Sequence, residues 1–328
     1  MDRTNKQDNM TRQTRPFPHR HLLGATALEA DDIGCILRRA RHFDDDIAAG
    51  RAVPQTLAGK PVLGLFFEDS TRTRMSFEHA ARLLGGAWYN LDIGRSAVKK
   101  GEGLMDTVHT MESMLAPAAM IIRHSEYAAP DYIAARVKCA VVNAGDSWRE
   151  HPTQALLDAY TIEKHKGRVA GLRVAICGDI AHSRVAASNM AVLRALGAHI
   201  NIIAPPVLMP EKLPADGITA YETMEEGLKD CDIVMMLRIQ KERMQSGLIE
   251  SDEAFFRQYG LTFDRLAHAR PDALVMHPGP MNRGVEIAAD IADDPKRSVI
   301  LDQVRNGVYV RMAVLDLLAG GTKSGGTK

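Results

Sequence analysis

The chain has 328 residues, of which 45% are hydrophobic, and it carries no formal net charge at pH 7. This length suits two domains of roughly 150 residues each, and the apolar content is sufficient for a core in both. The neutral balance excludes an overall field that would attract nucleic acid or an anionic membrane, so any anion site must arise from local clusters of arginine.

Cysteine usage and the chain ends indicate a reduced, cytoplasmic protein. No apolar run reaches the ~18 residues of a membrane span, and the first residues lack the apolar core of a signal peptide. We expect residues 1–19 to form a disordered arm and residues 321–328 a flexible tail. The cysteines are far apart and mostly lie in apolar runs, which predicts buried thiols rather than disulfides or a zinc site: Cys35, Cys139, Cys177 and Cys231.

The first regular patterns predict a helix beside a strand–turn–helix unit. Residues 28–49 have apolar positions at helical spacing. The chain is organised around residues 61–86, where an apolar run at 62–67 precedes a polar turn. Apolar residues then recur at helical spacing from Phe77 to Leu84. We therefore expect the chemistry to lie at the turn, between the strand and the helix.

The turn concentrates groups that bind phosphate oxygens. Ser70 or Thr71 caps the predicted helix, whose first N–H groups point outward, and Arg72 adds positive charge beside them. The hydroxyl of Thr73 supplies a further donor. Ordinary helix capping explains the same residues equally well at this stage. Arg74 is expected on the buried side of the helix, in a structural ion pair, whereas Arg72 faces away from it.

A basic loop follows the second predicted strand, at residues 87–91. The loop covers residues 92–103, contains three glycines and includes Ser96 and Lys100. Polar, glycine-rich loops of this kind often form lids or reach a partner. From its composition alone, a solvated surface loop is the simpler interpretation.

Arg123 marks the end of the next strand. Residues 106–115 predict a helix and residues 118–122 a buried strand that leads into this arginine. Ligands of open α/β sheets bind beyond the carboxyl ends of the strands, so Arg123 is expected to face the same crevice as Arg72. An arginine at a strand end is also commonly just solvated, and the interpretation therefore depends on its neighbours.

A strand at residues 139–143 leads to a further helix start. Pro152 suits the first helical turn, and His151 and Gln154 lie three residues apart on one face. Together an imidazole and a carboxamide can donate to a carbonyl oxygen and accept from an amide. For a single histidine, a structural hydrogen bond is an equally simple explanation.

The second half of the chain repeats a βα pattern. Arg184 lies near a helix start, and Arg238 and Gln240 are two residues apart at a strand end, so their side chains project to one side. The fingerprint G-x-G-x-x-G is absent, which argues against a dinucleotide-dependent dehydrogenase. The predicted strands are 173–177, 199–204, 231–237 and 273–276, and the predicted helices are 185–196, 223–229 and 304–319.

Two prolines flank Gly279 after the last predicted strand. Pro278 and Pro280 have no N–H group, so the carbonyls of this segment are free to accept hydrogen bonds from an amide. A plain proline-rich turn explains the local features equally well. A cis bond is credible only before a proline, and the sequence does not show which isomer is present.

Four segments resemble the aspartate and ornithine carbamoyltransferases. They are FFEDSTRTRMSFE (66–78), HPTQALLD (151–158), LRIQ (237–240) and HPGP (277–280). The resemblance implies two doubly wound α/β domains, each with a mainly parallel sheet flanked by helices. It places a carbamoyl-phosphate-binding domain at 20–151 and an aspartate-binding domain at 152–303, with a C-terminal helix at 304–320 packing back on the first domain.

The same resemblance assigns roles to individual residues. Catalytic roles fall on Arg72, Thr73, Lys100, Arg123 and His151. Carbamoyl phosphate binding adds Ser70, Thr71, Gln154, Gly279 and Pro280, and aspartate binding falls on Lys100, Arg184, Arg238 and Gln240. Ser96 and Lys100 match a loop that enters the neighbouring subunit's site, and Glu68, Arg184 and Arg243 match residues of domain closure. No metal or organic cofactor is implied.

The Arg-x-Gln pattern favours aspartate over ornithine as the acceptor. A guanidinium binds a carboxylate in two parallel hydrogen bonds and repels an ammonium group. The ornithine enzymes would be expected to show a Ser-Met-Gly segment here and a cysteine near Gly279, and the chain has neither. The resemblance further implies a homotrimer with shared active sites and a step of pyrimidine biosynthesis, and it leaves open a higher assembly with regulatory or other pyrimidine-pathway chains. An ornithine-type transferase and a catalytically silent assembly paralogue remain alternatives.

Overall fold

The computed structural model describes residues 17–91, 101–212, 216–240 and 250–320. The first half contains α1 (Ala30–Ala48), β1 (Pro61–Phe66), α2 (Thr71–Leu83), β2 (Ala87–Leu91), α3 (Leu104–Leu115), β3 (Ala119–His124), α4 (Ala129–Ala134) and β4 (Ala140–Asp146). The helix α5 (Pro152–Lys166) then leads into the second half. This half contains β5 (Arg173–Cys177), α6 (Arg184–Ala195), β6 (His199–Ile203), β7 (Ile218–Tyr221), α7 (Met224–Gly227), β8 (Ile233–Met236), α8 (Asp252–Tyr259), α9 (Phe263–Leu266), β9 (Leu274–Met276), α10 (Ala289–Ala292) and α11 (Ile300–Ala319).

Within the described residues the strands form two sheets. The first has the order β2-β1-β3-β4 and the second the order β7-β6-β5-β8-β9. Neighbouring strands pair in parallel throughout, for example Val62 with Ala119 and Val174 with Ile233. Helices connect successive strands and cover the sheets, so the predicted fold class of two doubly wound α/β units is confirmed.

Each sheet has a point at which its strand order reverses direction. In the first sheet this point lies between β1 and β3, and in the second between β5 and β8. The loops that leave the carboxyl ends of such strands separate and leave a crevice, which is where doubly wound sheets bind ligands. The segments that follow β1, β5 and β8 contain Glu68 to Arg72, Arg184 and Arg238, and Arg123 lies at the carboxyl end of β3 itself. The topology alone therefore brings the predicted site residues to two facing crevices.

The helix α5 is buried on all sides over its first eleven residues, from Pro152 to Ile162. It packs against α6, α11 and α1, so it lies between the halves rather than on a surface. Polar side chains such as Asp158 and Thr161 are consequently fully buried. Because a helix surrounded by protein has no solvent face, its sequence shows little amphipathic periodicity.

The helix α11 returns the chain to the first half. It packs against α1 and α2, and Arg39 on α1 pairs with Asp316 at 2.7 Å. The Lys60 ammonium, beside β1, donates to the Ala319 carbonyl at 2.9 Å. The helix begins four residues before the predicted start at residue 304. The exact domain boundaries at 151/152 and 303/304 stay predictions.

The remaining expectations concern the chain ends and the cysteines. Phe17, which falls in the predicted N-terminal arm, packs on the core, and His19 lies 2.7 Å from the Asp32 carboxylate. The rest of that arm and the tail at 321–328 lie outside the described residues. All four cysteines are unpaired, and three of them are buried. None of the helices in the described part of the chain is long and apolar enough to cross a membrane.

Candidate active site

A cleft of about 550 Å³ lies between the two sheets, at their carboxyl ends. Its walls come from the loops after β1, β5, β8 and β9, from the carboxyl end of β3, and from residues of α2, α5, α6 and α11. The predicted site residues that line it are Glu68, Ser70, Thr71, Arg72, Thr73, Arg123, His151, Gln154, Arg184, Arg238, Gln240, Gly279 and Pro280. The structure thus brings together every predicted site residue that it describes.

The start of α2 presents the phosphate-type donors to this cleft. Ser70 is the N-cap residue, so the amides of the following turn are available to a ligand anion. Thr73 is 6% exposed, whereas Arg74 is exposed to solvent. The expectation that Arg74 lies on the buried side was therefore wrong. Thr73 precedes Phe77 by four residues and Ala80 by seven, so it shares their buried face of the helix. Arg74 lies beside that face.

Arg72 reaches across the cleft to the proline-rich loop of the second half. A Cβ atom placed on Gly279 would lie 3.1 Å from the Arg72 Nε atom. Gly279 has φ +68°, in the left-handed region that favours glycine, and the Gly279–Pro280 peptide bond is cis. The Arg72 guanidinium therefore lies close to the Gly279 backbone. A side chain at position 279 would crowd it, so the close approach requires glycine.

Glu68 contacts two of the arginines. Its Oε2 atom accepts a hydrogen bond from Arg184 Nη2 at 2.9 Å and lies 3.3 Å from Arg123 Nε. Arg123 also donates to the Ala144 carbonyl at 3.2 Å, and Arg184 donates to the Ser147 carbonyl at 3.0 Å. Two cations from different halves are thus held side by side, facing the same space.

Gly145 makes this arrangement of arginines sterically possible. It has φ +120°, and a Cβ atom there would lie 3.1 Å from both Arg123 Nη1 and Arg184 Cζ. Any side chain at this position would push on both guanidinium groups. Gly145 was not among the predicted site residues; it lies near the end of β4, and a glycine within a strand is a signal for a close backbone approach.

His151 is a neutral imidazole at the start of α5. It is 5% exposed, and burial lowers the pKa of the ring well below 6.5, an effect that Arg123, Arg184 and Arg311 reinforce. Its backbone N–H donates to Ser188 Oγ at 2.9 Å. Among the described residues the buried Nδ1 atom has no hydrogen-bond partner. A buried neutral ring beside cations is suited to hydrogen bonding with a substrate oxygen and unsuited to carrying charge.

Arg238 and Gln240 occupy the opposite wall, after β8. Both are half-buried, and Arg238 Nη2 donates to Gln240 Oε1 at 3.1 Å. The Gln240 backbone N–H donates at 3.2 Å to Asp179, a fully buried carboxylate in the loop after β5. The two loops at the switch point of the second sheet are therefore joined, and Arg238 faces the cleft from a fixed position.

The proline-rich loop uses the one backbone donor that it has. The Gly279 N–H donates to His277 Nδ1 at 2.9 Å, while Pro278 and Pro280 have no N–H. The other ring nitrogen of His277 lies 3.1 Å from the buried Glu286 carboxylate and donates to it. The loop therefore offers the cleft only backbone acceptors, as the sequence predicts.

Two lining residues of α11, Gln303 and Arg311, were missed by the sequence analysis. Arg311 is 4% exposed and its guanidinium lies 5.1 Å from the Phe77 ring; burial lowers its pKa to about 10, against the effect of nearby Asp158. A Cβ on Gly307 would lie 2.5 Å from Arg311 Nη1. Gln303, Gly307 and Arg311 recur every four residues, so they share one face of the helix, and this spacing was the available signal.

Three predicted residues lie outside the described part of the chain. These are Ser96 and Lys100 of the basic loop, and Arg243, which was expected to pair with Glu68. Among the described residues, no group of three or more His, Cys, Asp or Glu side chains is arranged to hold a metal ion. The described side chains of the cleft supply guanidinium, hydroxyl, amide and imidazole groups, together with the carboxylates of Glu68 and Asp69.

Comparisons with known proteins match this arrangement over nearly the whole chain. Residues 20–164 match the model of the aspartate/ornithine carbamoyltransferase carbamoyl-P binding domain, and residues 170–318 match that of the Asp/Orn binding domain. The aspartate carbamoyltransferase catalytic subunit of Rhodospirillum centenum is 52% identical, over 96% of this chain and 99% of that protein.

Solved structures show the same fold. Aspartate transcarbamoylase from Trypanosoma cruzi, in complex with N-(phosphonacetyl)-L-aspartic acid, has a TM-score of 0.80 and 30% identity, over 90% of this chain and 94% of that one. Ornithine carbamoyltransferase from Pyrococcus furiosus has a TM-score of 0.84 and 29% identity, over 92% and 98%. The backbone is thus common to enzymes with different acceptors. The cleft, the two family models and the near full-length relatives together show that the chain belongs to the aspartate/ornithine carbamoyltransferase family.

Proposed function

We propose that this chain is an aspartate carbamoyltransferase, which transfers the carbamoyl group of carbamoyl phosphate to the α-amine of L-aspartate. The observation that carries the proposal is the convergence of Arg72, Arg123, Arg184 and Arg238 on one cleft, beside a neutral His151. Carbamoyl phosphate is an anion and aspartate brings two carboxylates. Such reactants require clustered cations, which an overall neutral chain supplies only locally.

Different groups of the cleft suit carbamoyl phosphate and aspartate. The helix start with Ser70 to Thr73 suits the phosphate, and Arg123 and His151 suit the carbamoyl oxygen. Gln154 and the carbonyls beside Gly279 suit the carbamoyl NH₂ group. Arg184 and the Arg238–Gln240 pair face the space left for aspartate and suit its two carboxylates.

The reaction needs no nucleophilic side chain. The neutral amine of aspartate attacks the carbamoyl carbon, and the electron pair of the carbonyl moves to its oxygen. When this tetrahedral intermediate collapses, the bond from carbon to the phosphate oxygen breaks, and the leaving phosphate accepts the amine proton. Thr73, Arg123 and His151 stabilise the developing negative charge, and loss of one such donor typically lowers the rate by about 10²–10³. Catalysis is then positioning and electrostatics.

The choice of acceptor rests on Arg238. This guanidinium and its partner Gln240 line the cleft, and a carboxylate at the end of the amino acid side chain suits them better than an ammonium group does. The test is an assay of the purified chain with carbamoyl phosphate and either aspartate or ornithine. Formation of carbamoyl-aspartate and phosphate is expected, and carbamoyl-ornithine as the main product would contradict the assignment.

We extend the proposal to assembly and biological role. The family resemblance of Ser96 and Lys100 supports a homotrimer in which this loop completes the neighbour's site. The last described residue before this loop, Leu91, ends β2, which is the edge strand of the first sheet. Carbamoyl-aspartate formation would place the chain in pyrimidine biosynthesis in the cytoplasm. A silent assembly paralogue would be expected to lack Arg72, Lys100 or His151, and all three are present.

A further inference from the structure

Asp158 is a fully buried carboxylate behind the cleft. Its Oδ1 atom accepts hydrogen bonds from Gln154 Nε2 at 2.9 Å and from Gln303 Nε2 at 2.8 Å. Its Oδ2 atom accepts from Asn189 Nδ2 at 2.8 Å. The donors belong to α5, α11 and α6, so one side chain joins three helices. Asp158 is not among the residues that line the cleft, but Gln154 and Gln303 are.

The hydrogen bond from Gln154 to Asp158 is the first arm of this network, and it fixes the orientation of the Gln154 amide. A carboxylate can only accept hydrogen bonds, so Gln154 must turn its nitrogen towards Asp158. The amide oxygen is then the atom left to face the cleft that the side chain lines. Without Asp158 the Gln154 amide could rotate by 180°. Its NH₂ group, a donor, could then face the cleft in place of the oxygen, an acceptor.

The second arm extends from Asp158 to the proline-rich loop. Because the Gln303 nitrogen donates to Asp158, its oxygen is free to accept the His277 backbone N–H, at 2.9 Å. His277 in turn accepts the Gly279 N–H through Nδ1. The position of the loop carbonyls near Gly279 therefore depends on the same carboxylate that orients Gln154.

We propose that Asp158 is the positioning residue for recognition of the substrate's NH₂ group, because it orients the Gln154 amide and, through Gln303 and His277, holds the loop whose carbonyls belong to the same cleft. This inference rests on the proposed function for the identity of the substrate. Asp158 does not touch the substrate. It makes the cleft select a carbamoyl group over an acyl group of the same size, since a methyl group cannot donate to these oxygens.

The test compares two stable phosphonates in the full-length chain by calorimetry. Phosphonoacetamide carries the NH₂ group, and phosphonoacetone has a methyl group in its place. We expect the wild-type chain to bind the amide about tenfold or more tightly than the ketone. In Asp158→Leu the ratio should fall to within about twofold of one through weaker amide binding, with the ketone affinity nearly unchanged. A wild-type ratio near one, or a parallel loss for both ligands in the variant, would overturn the proposal.

Two further variants separate orientation from stability. Asp158→Asn keeps an oxygen for Gln154 and Gln303, and its NH₂ can donate to Asn189 Oδ1, which has no hydrogen-bond partner among the described residues. This variant should retain the preference for the amide. Asp44→Leu also removes a buried carboxylate that contacts α5, through Tyr160 and Lys164, but lies away from the cleft. It should keep the wild-type ratio, and a loss in this control would contradict the inference.

Should Asp158→Leu fail to fold, Gln303→Leu tests the second arm. It removes the link from Asp158 to His277 and should lower the ratio of affinities without abolishing it, because Gln154 remains oriented. An unchanged ratio in this variant would also overturn the proposal. The binding measurements contain no amino acid, so the ratio of amide to ketone affinity does not depend on aspartate carbamoylation. A wild-type chain that fails to carbamoylate aspartate would contradict the proposed function alone.

Discussion

Glu68 and Arg184 form an ion pair across the cleft, with 2.9 Å between Glu68 Oε2 and Arg184 Nη2. Glu68 follows β1 in the first sheet, and Arg184 begins α6, which follows β5 in the second. The same carboxylate oxygen lies 3.3 Å from Arg123. One carboxylate therefore neutralises part of the positive charge of the cleft and joins its two walls.

Replacing Glu68 by Gln should raise the KM for aspartate. The variant loses the charged partner that holds Arg184 in place, and a charge-assisted hydrogen bond of about 1.5 kcal/mol corresponds to roughly a tenfold change. Steady-state kinetics at saturating carbamoyl phosphate measure this value. The control is Glu78→Gln, which breaks an exposed pair with Arg82 on the surface of α2. An unchanged KM in Glu68→Gln would count against its role in joining the walls.

The sequence could predict the residues that follow strands. Apolar runs indicate buried parallel strands, and the topology then delivers Arg72, Arg123, Arg184 and Arg238 to one cleft without any knowledge of side-chain contacts. Boundaries are less predictable: β4, for example, continues to Asp146, beyond the predicted end at residue 143, where its pairing with β3 shifts register.

The residues behind the cleft could not be predicted in this way. Asp158 and Gln303 are 145 positions apart, and their contact depends on how α11 packs against α5. Because α5 is buried on all sides, periodicity does not tell which of its polar residues face the cleft and which face a neighbouring helix. Gly145 is similar, since its importance arises from two arginines that other segments supply.

Gly145→Ala should lower kcat/KM strongly. The new Cβ would lie 3.1 Å from Arg123 and Arg184, at φ +120°, so both guanidinium groups must move. Contacts of this length require shifts of a few tenths of an ångström, and because a displacement of about 1 Å can cost roughly 10²-fold in rate, we expect a loss of about tenfold. Gly167→Ala is the control, because Gly167 also has positive φ but no atom within 4 Å of the new Cβ. It should lose a little stability and keep its kinetics. Equal kinetics in both variants would contradict the argument.

His151 should make stability depend on pH in a defined direction. Burial, aided by Arg123, Arg184 and Arg311, lowers the pKa of the folded-state ring well below 6.5. As the pH falls below 6.5, the unfolded chain binds a proton that the folded chain does not, so stability falls by up to about 1.4 kcal/mol per pH unit from this residue.

The comparison of wild type with His151→Gln isolates this effect. Denaturant unfolding between about pH 7.5 and about pH 5.5 should show the larger loss of stability in the wild type, since Gln does not titrate. Burial raises the pKa of Asp158 to about 6, which acts in the opposite direction below that pH, but it is present in both chains and cancels. His79→Gln, at an exposed position of α2, should follow the wild type. Identical slopes for wild type and His151→Gln would refute the prediction.

Mixing two inactive variants tests whether sites are shared between copies. Lys100→Ala chains lack the proposed contribution to a neighbour's site, and Arg72→Ala chains lack their own phosphate contact. If each site combines Arg72 of one copy with Lys100 of the next, random trimers mixed in equal amounts should have about a quarter of their sites intact. Activity should therefore appear on mixing after dissociation and reassociation, although each parent is inactive. If the mixture stays as inactive as its parents while trimers form normally, each site is built from a single chain.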